Sequence, residues 1–133
     1  MLKILIAEDD RELCQLFSHV LMKRGYVVKS VADGKEALDA VDRDYFDLII
    51  SDIMMSKVDG YEFVRQLRES GNQTPVMMIT ARDAFDDMRQ GFLSGTDDYM
   101  VKLINVNEMA LRVGALLRRS QMIRDRRQTI AAR

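Results

Sequence analysis

The stretch Phe46–Met55, "FDLIISDIMM", decides the fold and poses the first chemical question. Leu48, Ile49 and Ile50 read as a strand apolar on both faces, the pattern of a parallel strand covered by helices on either side. The run ends in Ser51 and Asp52, so a carboxylate stands at the tip of a greasy strand. An unpaired charge in such a place is costly and calls for a purpose.

Outward from this strand, apolar runs and amphipathic stretches alternate along the chain. Leu2–Ala7, Tyr26–Val31, Pro75–Ile79 and the short Tyr99–Val101 read as further strands, with Asp47–Ser51 as the third of five. Helices are predicted over Asp10–Arg24, Gly34–Asp42, Asp59–Glu69, Asp83–Ser94 and Val106–Arg119. In the first, Leu13, Leu16, Phe17, Val20 and Leu21 recur at helical spacing, and Gly25 stops it. In the last, Val106, Met109, Val113, Leu116 and Leu117 face inward. Five strands alternating with five helices predict a flavodoxin-like, doubly wound α/β sandwich with a parallel sheet in the order 2-1-3-4-5.

The bulk numbers agree with one domain. The chain has 133 residues, 47% hydrophobic and 31% charged. No apolar run reaches the roughly 20 residues a membrane helix needs. One cysteine, Cys14, allows no internal disulfide and fits a packing role in a reduced, cytoplasmic setting. The net charge is −1, but residues 118–133 hold six arginines against Asp125 alone. That segment is +5 and leaves −6 for the rest, so an acidic body carries a basic tail. Periodicity fades after Arg119, which makes 1–119 the domain and 120–133 a tail or linker.

Ligands of open parallel sheets bind beyond the carboxyl ends of the strands. Here those ends carry Glu8 and Asp9, with Asp10 behind them, then Asp52, Thr80 and Lys102. Carboxylates brought together repel unless a cation sits among them, and hard oxygen ligands without nearby His or Cys suit Mg²⁺ or Mn²⁺. The single histidine, His19, falls on the first helix, away from these ends. A divalent ion and Lys102 would set strong positive charge beside Asp52, the arrangement for phosphoryl transfer to a carboxylate nucleophile, with Thr80 donating to a phosphate oxygen. Asp10, Asp33 and Asp59 also read as helix caps or turn residues. A flavin or nucleotide site is disfavoured, since "AEDDRE" offers phosphate no glycine-rich loop. A haloacid dehalogenase-type phosphatase wants a second Asp two residues after the nucleophile, where this chain has Met54.

Together these residues resemble the receiver domain of bacterial two-component response regulators, over roughly Met1–Arg119. "KILIAEDD" is similar to the family's acidic-pair strand, "DLIISDIMM…DGYEF" to its phosphoacceptor segment, "MMITA" to its switch-hydroxyl strand and "SGTDDYMVK" to the stretch with its switch aromatic and lysine. The resemblance implies a phosphorylation-activated switch rather than a conventional enzyme. Asp52 would accept a phosphoryl group from a histidine kinase with Mg²⁺, held by Glu8, Asp9, Asp52 and the backbone carbonyl of Met54. Thr80 and Tyr99 would be the switch pair. The helix at 83–94, the fifth strand and the last helix would form the remodelled surface. "GTDDY" and the arginine-bearing last helix are most like the subfamily with a winged-helix DNA-binding domain. That implies a homodimer in which Asp97 and Arg112 pair, and DNA contact only through an output domain absent here. On this likeness the basic tail resembles the start of an interdomain linker, and the sequence leaves open whether the chain is a truncated regulator or a complete one.

Three positions depart from the pattern: Leu103 replaces the proline after the lysine, Ser56 replaces a loop proline, and Met88 stands at a usual basic contact. A cis bond at Leu103 would cost about 2.5–4 kcal/mol, so a trans bond or strain is expected there. A receiver-like interaction module independent of phosphorylation is the alternative reading, supported by the Ser56 and Leu103 changes.

Overall fold

The computed structural model describes residues 1–80, 95–101 and 105–131. Five strands appear: β1 (Lys3–Ala7), β2 (Val27–Val31), β3 (Leu48–Asp52), β4 (Val76–Thr80) and β5 (Asp98–Val101). The described helices are α1 (Arg11–Lys23), α2 (Gly34–Arg43), α3 (Gly60–Glu69) and α4 (Val106–Ala131). The strands are all parallel, in the order β2-β1-β3-β4-β5. The expected flavodoxin-like sandwich is therefore present. The helix expected over 83–94, with Met88, lies outside the described residues.

Alternation along the strands builds two cores. Ile4, Ile6, Leu48, Ile50, Met77, Ile79 and Met100 join Phe17 and Leu21 of α1 and Met109, Val113, Leu116 and Leu117 of α4 on one face. Leu5, Ala7, Ile49, Val76, Met78 and Tyr99 join Ala37 and Ala40 of α2 and Phe63, Val64 and Leu67 of α3 on the other. Every residue of β3 is buried, as its continuous apolar run requires. On α1 the inward face runs through Cys14, Phe17 and Leu21, while Leu16 turns outward and is nearly half exposed. His19 is exposed.

Helix starts follow their caps. Asp10, Asp33 and Asp59 each accept from the backbone N–H three residues on, at 3.2, 2.8 and 2.8 Å. On α3, hydrogen bonds from Arg65, and then Gln66, hold the Glu62 carboxyl down to about 2 from its ordinary 4.5. A lowered folded-state value means that this contribution is complete above the ordinary value and fades as pH falls through the folded one. Urea melts between pH 4.5 and 2 should therefore show a shallower acid-side loss for Glu62→Gln than for the parent. The effect is small because the pair is exposed.

The far end of the sheet is closed by Arg68. Its guanidinium donates to the carbonyls of Gly95 (2.9 Å), Asn72 (3.0 Å) and Thr74 (2.7 Å) and to Asp97 Oδ2 (2.9 Å). Asp97 Oδ2 also accepts from Val76 N–H at 2.8 Å. Burial pushes the Arg68 guanidinium below its ordinary value, and Asp97 pulls it back up. Beside this network Thr96 is 6% exposed, and its hydroxyl has no hydrogen-bond partner among the described residues. An orphaned buried hydroxyl is destabilising, so Thr96→Val, which keeps the shape, is expected to stabilise by about 1–2 kcal/mol in urea melts. A lower midpoint would contradict this.

The last helix differs from expectation. It does not end near Arg119 but continues to Ala131. Residues 120–131 lack an apolar repeat, yet they contain neither Gly nor Pro and are rich in Gln, Met and Arg. Extending a helix already nucleated on the sheet is much easier than starting one, so propensity suffices where periodicity is absent.

Candidate functional site

The strand ends deliver their carboxylates to one point. The strand β1 leads into Glu8, whose backbone N–H is held by the Val31 carbonyl at 3.1 Å. Asp9 follows at the surface, and Asp52 closes β3. One carboxylate oxygen from each of Glu8, Asp9 and Asp52 lies within 4.8 Å of the other two. Glu8 is 5% exposed and Asp52 is 2% exposed, whereas Asp9 is open to solvent. Asp10 is not in this cluster, because its side chain caps α1.

This donor set fits a hard dication. Three carboxylate oxygens converge with neither thiolate nor imidazole among them, two come from buried side chains, and the third faces water. Without a cation, their mutual repulsion would be poorly screened at the two buried positions.

The loop from Ile53 to Asp59 wraps the tip of β3. Met54 N–H points at Asp52 Oδ1 at 3.4 Å, and the Met54 side chain is exposed. Gly60 N–H returns to the Ile53 carbonyl at 2.8 Å, and Val58 N–H bonds the Ser56 carbonyl at 2.9 Å. Lys57 takes φ +70°, a left-handed conformation unusual for a side-chain-bearing residue. Its ammonium lies 3.6 Å from Asp33 Oδ2 on the neighbouring loop, and that charge together with the Glu36 N–H keeps the Asp33 carboxyl below its ordinary value, the N–H being the larger effect.

Other expected residues are partly visible. Thr80 closes β4, but its side chain and Lys102 lie outside the described residues, as does the Lys102–Leu103 peptide. Tyr99 is buried and packs in the core on the α2–α3 face. Within the chain, Asp97 pairs with Arg68, while Arg112 bonds Asp98 (3.0 Å) and Glu108 (3.2 Å). Reading the sequence missed Lys57, Gly34, Gly60 and Ser51 as parts of the site's frame. A usable signal was the repeated "DGxE" at Asp33–Glu36 and Asp59–Glu62, which starts two helices on the same core face.

A family model described as the response regulator receiver domain matches residues 4–114. The chain belongs to the response regulator receiver family. It is similar to the response regulator MprA of Mycolicibacterium vanbaalenii, at 39% identity over 118 residues, covering 89% of this chain and 51% of that protein. It is also similar to the transcriptional regulatory protein TcrA of Mycobacterium tuberculosis, at 38% identity over 122 residues, covering 92% of this chain and 48% of TcrA. The receiver domain of the Francisella response regulator 1452 superposes with a TM-score of 0.87 at 32% identity, covering 90% of this chain and 99% of that one. This receiver domain thus spans about half the length of the curated relatives it matches. Among the described residues, no helix is long and apolar enough to cross a membrane.

Proposed function

We propose that this receiver domain is a phosphorylation-activated switch in which Asp52 accepts a phosphoryl group from a histidine kinase in the cytoplasm. The observation that carries the reading is the convergence of Glu8, Asp9 and Asp52 within 4.8 Å at the carboxyl edge of the sheet. An Asp52 oxygen attacks phosphorus, the phosphorus–nitrogen bond of the donor's phosphohistidine breaks, and the imidazole leaves with the bonding pair. Glu8, Asp9, Asp52 and the Met54 carbonyl would hold Mg²⁺ or Mn²⁺, which when bound would supply charge neutralisation for the transferring oxygens. Lys102 binds a phosphoryl oxygen, and Thr80 donates a hydrogen bond to another.

The response passes through Thr80 and Tyr99 to the surface made by β5, α4 and the segment 83–94. In a homodimer through that surface, Arg112 would exchange an intrachain partner for Asp97 of a second copy, and Asp97 would share its carboxylate with Arg68. The output is transcription regulation through a DNA-binding domain, and the basic residues after Arg119 lead towards it. The transcriptional regulatory protein TcrA, about half of which this chain matches, supports the transcriptional reading.

The test is to incubate the chain with Mg²⁺ and a small-molecule phosphodonor and weigh it intact. One phosphoryl group per chain, absent from Asp52→Asn, supports the switch. No adduct overturns it in favour of a phosphorylation-independent interaction module.

A further inference from the structure

The backbone behind Asp52 is packed more tightly than sheet formation requires. A Cβ placed on Gly60 would fall on the Asp52 carbonyl oxygen, 2.9 Å from Ile53 Cα and 3.0 Å from Met78 Sδ. Real Cβ atoms do not approach backbone so closely, and none of these neighbours except the Met78 sulfur can give way. The same carbonyl accepts the Ser51 hydroxyl at 2.9 Å, and Ser51 is fully buried. On the other side of the loop, a Cβ on Gly34 would overlap the Val58 carbonyl and lie 2.7 Å from Val58 Cβ. So the start of α2 abuts the loop, and the start of α3 abuts the peptide that carries the Asp52 side chain.

We propose that Ser51 and Gly60 are positioning residues that clamp the Asp52 backbone and thereby aim its carboxylate at Glu8 and Asp9, while Gly34 seats the loop from behind. The reason is geometric. Asp52 is the last residue of β3, so the ladder restrains it from one side only, and the chain turns away at Ile53. A side chain at position 60 would push the Asp52 peptide outward, and the short Asp side chain would carry that displacement to its oxygens. Loss of the Ser51 hydroxyl removes the donor on that carbonyl and leaves the peptide held by the Ile53 N–H on the Ile79 carbonyl at 3.1 Å. The inference rests on the proposed cation and phosphoryl chemistry for its consequence, but the placement can be read without it.

The test compares the parent with Gly60→Ala, Ser51→Ala and Gly71→Ala, by crystal structure and by Mn²⁺ titration followed by electron paramagnetic resonance. Gly71 is the control. It has φ +85° with nothing within 4 Å of a built Cβ, and it lies just past the opposite end of α3, so alanine there strains the fold away from the site. The expected result is an Asp52 carboxylate displaced from its 4.8 Å cluster in Gly60→Ala and, by less, in Ser51→Ala. Mn²⁺ affinity should fall by about 10- to 100-fold, the range for losing a support behind a metal ligand. Gly71→Ala should keep both the placement and the affinity. Should Gly60→Ala fail to fold, Ser51→Ala decides. Parent-like carboxylate separations in the folded variants overturn the clamp. If the parent itself takes up no Mn²⁺, the proposed function fails, and the crystal structures still decide the clamp.

Discussion

Asp52→Asn is expected to take up no phosphoryl group under conditions in which the parent is expected to be labelled to one group per chain. A carboxamide oxygen is a poor nucleophile, and its attack would not give an acyl phosphate of the same kind. The substitution also removes one of the three charges in the cluster formed with Glu8 and Asp9. A further outcome follows from ligand linkage. Adding Mg²⁺ should raise the parent's midpoint and raise that of Asp52→Asn much less, because stabilisation by a ligand scales with its affinity for the folded state. Intact-mass and thermal-melt measurements on the same samples separate lost chemistry from lost structure. An adduct persisting on Asp52→Asn would move the acceptor elsewhere.

Arg68→Ala is expected to be the most damaging single change away from the site, at about 2–4 kcal/mol, from leaving part-buried carbonyls without a donor. Its guanidinium serves two carbonyls of the loop after α3, the Gly95 carbonyl and one carboxylate, tying that loop to the start of β5. Asp97 would keep the Val76 N–H as an exposed carboxylate without its cation, a minor part of the loss. Arg68→Lys should recover little, because a compact ammonium cannot reproduce a planar fork that reaches four acceptors. Since whole domains are stable by only about 5–15 kcal/mol, such a loss would be visible as partial unfolding at moderate temperature. Chemical denaturation of both variants checks this, and a lysine variant as stable as the parent would contradict the fork argument.

These two residues also mark how legible the molecule was. The Asp52 position stood out because strand patterning and the end-of-strand rule both pointed to it, and side-chain chemistry at Glu8 and Asp9 agreed. The caps at Asp10, Asp33 and Asp59 were legible for a similar reason, since short polar residues before an amphipathic run have few other uses. Arg68 was not legible. It sits in the last turn of α3, where arginine is common, and nothing local says that its partners lie at 95–97. For the same reason Asp97 read as a surface contact, whereas within the chain it belongs to Arg68. The α4 extension was missed because apolar periodicity was the signal used to end the helix, and residues 120–131 lack such a repeat while having helix-compatible residues throughout. Gly34 and Gly60 were legible only as the shared second position of the two DGxE repeats, and the space around each shows why no side chain stands there.

The continuation of α4 has a mechanical consequence. Leu117 is anchored in the core, and 14 further helical residues follow, to Ala131. At 1.5 Å per residue they make a rigid arm of about 21 Å. A segment joined to that arm would be held at a fixed azimuth rather than loosely tethered. Inserting one residue in the arm would turn the far end by about 100°, and inserting seven would nearly restore its phase. A helical-phase dependence of output on insert length is what a lever predicts and a flexible leash does not.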